Sequence, residues 1–73
     1  MDSNPGFQKR AGKNIKKIRE EKKLTQEQVA KKAGVNTNYF AVIERGGVLT
    51  NSQYLANIAK ALGVDISEII GTK

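Results

Sequence analysis

QEQVAKKAGVNTNYFAVIERG, residues 26–46, decides the fold of this chain. Apolar or small residues fall at Val29, Ala30, Ala33, Gly34, Val35, Phe40 and Ile43. Val29, Ala30 and Ala33 share one side of a helix, and Phe40 and Ile43 share one side of a second. Between the two, Gly34 stands where a left-handed residue is wanted, and Asn36 is a good N-cap two residues later. Ala30 lets the helix axes approach because its side chain is a single methyl, and Val35 fills the angle between them. This spacing predicts two helices crossing steeply through a turn of roughly three to four residues. The second helix poses a question. Opposite Phe40 and Ile43 it carries Thr37, Asn38, Ala41 and Val42, where a solvated helix face usually carries Lys and Glu.

The flanks continue in helical spacing. Ala11, Ile15 and Ile18 mark the buried stripe of a first helix from about Gln8 to Lys22, which leaves a row of lysines outside. Thr25 opens T-Q-E-Q, a capping box in which Thr25 and Gln28 exchange hydrogen bonds. Leu55, Ile58, Ala59 and Leu62 follow the i, i+3, i+4, i+7 pattern of a fourth helix, about Ser52 to Leu62, capped by Asn51 and closed by Gly63. A short fifth helix, about Ile66 to Ile70, opens on D-I-S-E, read as a second capping box from Asp65 to Glu68. The single proline lies in MDSNPG, residues 1–6, which offers nothing to bury and reads as a flexible arm. No segment alternates as a strand does. The expectation is an all-α, five-helix domain over residues 7–71.

Composition removes whole classes of chemistry. The 73 residues include no cysteine and no histidine, which excludes disulfides, zinc fingers, thiol nucleophiles and imidazole acid–base catalysis. No pair of the seven acidic residues is placed as a general acid and base, and nothing resembles a phosphate loop, so neither an enzyme nor a metal or cofactor site is expected. Nor is a small-molecule ligand evident. No apolar run approaches the ~20 residues that span a bilayer, and MDSNPGFQ is not a signal peptide, so a cytoplasmic chain without a membrane partner is expected. Net charge is 13 − 7 = +6, unevenly spread. Residues 7–45 hold eleven Lys/Arg against four Glu, or +7, whereas residues 46–73 sum to zero. One basic face meeting a polyanion accounts for that split, though lysines also serve solubility.

In order and at these separations, the motifs resemble the helix-turn-helix of the lambda repressor and Cro group, the XRE family. QEQVAKKAGVNTNYFAVIERG is similar to its central unit, GKNIKKIREEKKLTQ to its first helix, and LANIAKALGVDISEII to its fourth and fifth. The likeness covers about Ala11 to Ile70. It implies a five-helix lambda-repressor-like DNA-binding domain, with helices two and three as the helix-turn-helix. It also implies a transcriptional regulator, with repressor as the expected role, bound to double-stranded operator DNA on the nucleoid as a homodimer.

The composition of the third helix then has a reason. The second helix of such a unit lies in the major groove and reaches base edges with its N-terminal residues. Asparagine can bond N6 and N7 of adenine, threonine can give a hydrogen bond or a methyl contact, and Ala and Val methyls suit the thymine methyl. Thr37 and Asn38 are the expected base readers, with Ala41 and Val42 as methyl contacts. The likeness implies that Gln26 contacts phosphate and braces the recognition helix. Thr25, beside it at the same helix end, is included in the DNA surface. Asn36 is first a cap and second a phosphate contact. Tyr39 offers its hydroxyl to a phosphate or packs on helix two, and Arg45 touches phosphate or favours the helix dipole. Arg19 and Glu44 match positions that in the family form an internal ion pair. Two departures stand out: the loop GGVLTNS carries no charge, and Thr50 stands where proline is usual. Leu49, Ile66, Ile69 and Ile70 are assigned to a two-fold interface, with burial of the isoleucines in a monomer core as the alternative. A protein-binding module, such as an antitoxin or coactivator bridge, is the competing functional class.

Overall fold

In a computed structural model, which describes residues 5–71, the chain forms five helices. They are α1 (Pro5–Glu21), α2 (Gln26–Ala33), α3 (Thr37–Glu44), α4 (Ser52–Leu62) and α5 (Ile66–Ile70). Helix α1 begins three residues earlier than the apolar stripe suggests. Proline suits the first helical position, since its fixed φ fits and its missing N–H would have had no partner there. Pro5 and Gly6 therefore belong to the helix rather than to the expected arm, and residues 1–4 of that arm lie outside the described residues.

Side-chain caps start the next four helices. The Gln28 amide donates to Thr25 Oγ1 at 3.0 Å, and the Thr25 amide donates to Gln28 Oε1 at 2.8 Å, a complete capping box. Asn51 Oδ1 accepts from the Tyr54 amide at 2.8 Å. Asp65 departs from the expected box with Glu68. Its Oδ2 accepts instead from the Ser67 hydroxyl at 2.6 Å and the Ser67 amide at 3.1 Å, because that hydroxyl lies within shorter reach. The Ser67 hydroxyl, then its amide, hold the Asp65 carboxyl below its usual range. The cap is at full strength above the ordinary carboxylate range and is lost as pH falls through the lowered value. Helix α2 ends at Gly34, whose φ of 74° is left-handed and lets the chain turn into α3 within three residues.

The core lies where all five helices meet. Ile15, Ala30, Phe40, Ile58 and Ile69 are fully enclosed. Ile69 is thus a core residue and leaves the expected interface, while Ile66 and Ile70 are half-buried. Two contacts of α1 set the frame. A Cβ built on Gly12 would lie 2.4 Å from the Ile43 carbonyl oxygen and 2.6 Å from that of Glu44, so the α1 and α3 backbones touch there. Two residues on, Asn14 Nδ2 donates to the Ile69 carbonyl at 2.8 Å and ties α5 to α1. Among the described residues no helix is long and apolar enough to cross a membrane.

Candidate nucleic-acid interface

The recognition candidate is α3, eight residues long and anchored on its inner side by Phe40 and Ile43. Its N-terminus is organised by Asn36, whose Oδ1 accepts from the Asn38 amide at 2.8 Å and the Tyr39 amide at 3.2 Å. The cap uses only the oxygen. The Asn36 Nδ2 donors have no partner among the described residues, so capping and phosphate contact do not compete for one atom. Asn38 is exposed and its side-chain amide is likewise unpartnered among the described residues, whereas Thr37, Ala41 and Val42 are half-buried. Ala41 and Val42 are therefore less open than a free helix face. Part of the cover on Val42 comes from Gly47, whose amide donates to the Val42 carbonyl at 3.0 Å.

The other end of α3 is held by charge. Arg19 Nε donates to Glu44 Oε2 at 2.6 Å, Arg19 Nη2 to Glu44 Oε1 at 3.2 Å, and Gln26 Nε2 to the same Oε1 at 2.9 Å. Arg19 Nη1 also donates to the Leu24 carbonyl at 2.8 Å. One carboxylate on α3 thus gathers α1, the α1–α2 turn and the start of α2. The Glu44 side chain is 2% exposed and that of Arg19 11%. The hydrogen bond to Glu44 raises the Arg19 pKa, so the guanidinium stays charged. Gln26 braces α3 through this bond and keeps one amide hydrogen and its oxygen for other use. Thr25, exposed beside it, accepts from Gln28 and retains its hydroxyl proton as a donor.

Tyr39 turns inward. Its hydroxyl donates to Thr50 Oγ1 at 3.3 Å, and its ring meets Tyr54 edge-on, 5.7 Å between centroids at 68°. That proton is engaged within the fold, and the ring packs against α4 rather than on helix two as expected. Arg45 caps α3 and is exposed. Leu49 is 57% exposed, while its neighbour Val48 packs against the core.

Three residues of this architecture escaped the sequence reading. Gly12, a glycine inside a helical pattern, was a signal of close backbone approach. Thr50, at the place where proline is usual, is buried and accepts the Tyr39 hydroxyl, a partner that only folding brings near. Asn14 gave no local signal for its bond to a carbonyl fifty-five residues away.

Comparison with known proteins agrees with this geometry. The Helix-turn-helix family model, HTH_3, matches residues 15–69. The immunity repressor protein of Bacillus phage phi105 is 45% identical over 60 residues, which are 82% of this chain and 42% of the repressor. Multiprotein-bridging factor 1 of Candida albicans is 42% identical over 55 residues, 75% of this chain and 36% of that protein. The chain thus spans less than half the length of either relative. The crystal structure of the restriction-modification controller protein C.AhdI from Aeromonas hydrophila superposes with a TM-score of 0.84 at 25% identity, covering 88% of this chain and 97% of that one. The turn at Gly34, the capped helix that follows it and the match over residues 15–69 agree: the chain belongs to the helix-turn-helix family HTH_3, with a helix-turn-helix of the lambda repressor/Cro type.

Proposed function

We propose that the protein is a sequence-specific repressor that binds operator DNA as a homodimer, with α3 of each protomer in the major groove. The observation that carries this reading is the N-terminal edge of α3. There an exposed Asn38 and the spare donors of Asn36 stand on a helix whose other side is locked by Phe40, Ile43 and Glu44. A reading helix needs that combination, because base discrimination depends on holding a bidentate amide in register with the base edge. Thr37 and Asn38 read bases, and Ala41 and Val42 offer methyl contact. Thr25, Gln26, Asn36 and Arg45 contact phosphates and set the docking angle. The amide groups at the start of α2 add to that anion contact. In this reading the protein acts on the nucleoid, in the cytoplasm. Selection of bound sequences from a random duplex pool is the direct test: palindromic sites with half-sites about one helical turn (~34 Å) apart are expected. An unenriched pool would overturn the proposal. On the recovered site, Asn38→Ala costs about 1–3 kcal/mol and little on random DNA. Equal losses on both would remove Asn38 from the base readers.

Leu49, Ile66 and Ile70 form the two-fold contact in this reading, supported by the open Leu49 side chain and by isoleucines that the core only half covers. Leu49→Asp and Ile70→Asp each shift sedimentation toward the monomer and weaken operator binding. Wild-type protein that sediments as a monomer at high micromolar concentration would sink the dimer. One observation favours a second reading, a protein-interaction module. The loop from Gly46 to Ser52 has no charge and exposes Leu49, and the likeness to a multiprotein-bridging factor points the same way.

A further inference from the structure

Between Arg45, the C-cap of α3, and the start of α4, the segment GGVLTN offers no lysine or arginine to a phosphate. The basic charge lies elsewhere, and the fold brings part of it beside α3. Gly12 is the point of α1 that touches the Ile43 and Glu44 carbonyls. Lys9 lies one turn before it on the same flank of α1, and Lys16 one turn after it, with Lys13 beside them at i+4 from Lys9. All three are exposed and none forms an ion pair among the described residues. Lys9 is fixed against the end of α3 by packing. A Cβ on Gly46 would lie 2.8 Å from both Lys9 Cα and Lys9 Cγ, so the α3–α4 turn rests on that residue. Glu20 is the acidic residue on this flank, and it leans toward Arg19 at 3.9 Å.

We propose that Lys9, Lys13 and Lys16 form a phosphate clamp that grips the DNA backbone beside the groove occupied by α3, in place of a charged α3–α4 loop. The inference rests on the DNA-binding reading above. Its logic is electrostatic: α3 itself contributes no net positive charge, since Glu44 is its one charged residue and is neutralised by Arg19. The attraction that brings the helix to the duplex must come from cations rigidly placed near it. A stripe on the longest helix, in backbone contact with α3, meets that need better than a loop.

The fold supplies a matched control. Lys31, Lys32 and Lys60 line an open groove between α2 and α4 to which α3 contributes no residue. Two triple variants, Lys9→Gln/Lys13→Gln/Lys16→Gln and Lys31→Gln/Lys32→Gln/Lys60→Gln, remove the same charge from the full chain. Binding is measured against salt on the duplex recovered by selection and on a mixed-sequence duplex. Each phosphate contact adds about 0.9 to the slope of log affinity against log salt, so losing the clamp flattens the slope by about 2 to 3. Between about 50 and 200 mM salt the clamp variant loses roughly 40-fold less affinity than wild type. Its base preference stays unchanged, and the control triple moves the slope by less than about 1. Equal flattening by both triples would reduce the effect to net charge, and an unchanged slope in the clamp variant would place the stripe off the DNA; either overturns the inference. If the triple variant melts early, Lys16→Gln alone carries the test, with an expected change of about 0.9 against an unchanged slope for Lys32→Gln alone. A wild-type chain without salt-dependent binding to either duplex ends the DNA-binding reading itself, a result distinct from loss of the clamp.

Discussion

Arg19→Met is expected to lower folding stability by about 3–5 kcal/mol, the range for removing one partner of a buried ion pair. A chain of this size has roughly 4–11 kcal/mol in total. Thermal melts followed by circular dichroism should therefore move down by 10 °C or more, at roughly 4–8 °C per kcal/mol for a domain of this class. The direction of the asymmetry is part of the prediction. Without Arg19, the Glu44 carboxylate, 2% exposed, keeps only the Gln26 amide as a donor. Without Glu44, Arg19 still has the Leu24 carbonyl and an edge open to water. Glu44→Gln should thus cost less than Arg19→Met, and the double variant Arg19→Met/Glu44→Leu should recover much of the loss, because two apolar groups leave no stranded charge. A wild-type melting point for Arg19→Met would show that the pair is in effect solvated.

Gly12→Ala is the second large effect. In an ordinary helix interior, alanine in place of glycine gains about 0.5–1 kcal/mol. Here the new methyl would sit 2.4 Å from one carbonyl oxygen and 2.6 Å from the next, both on backbone that cannot swing aside. Overpacking of this kind costs about 1–3 kcal/mol, and contact with rigid backbone puts this site at the upper end. The clash outweighs the propensity gain, and a loss of about 2–3 kcal/mol is expected in denaturant unfolding. The alternative to instability is separation of α1 from α3. A variant that melts normally but binds DNA poorly would report that movement. One that melts and binds as wild type would contradict the crossing.

The capped starts of α2, α3 and α4 were legible in the sequence, because Thr25, Asn36 and Asn51 act on amides two or three residues away. Local chemistry of that kind leaves a local trace. The Arg19–Glu44 pair spans twenty-five positions and was readable only through the family likeness. Helix α5 shows where periodicity fails. Five residues with three isoleucines cannot say which one points inward, and the core takes Ile69 while Ile66 and Ile70 stay at the rim. Pro5 reads as an arm residue for a related reason: nothing in MDSNPG continues the apolar stripe of α1, although Phe7, in the same first turn, packs against the core. Tyr39 had two plausible uses until Thr50, eleven residues on, was brought to its hydroxyl.

Gly12 and Asn14 are nearly adjacent on α1, yet one sets the gap to α3 and the other pins α5. In a homodimer joined through α5, the distance from the seam to each reading edge is then fixed along a single stiff rod. Such an assembly works like a caliper with a locked jaw. An operator whose spacer is lengthened or shortened by a base pair would have to twist or bend to fit, since α3 and α5 are both tied to that one helix.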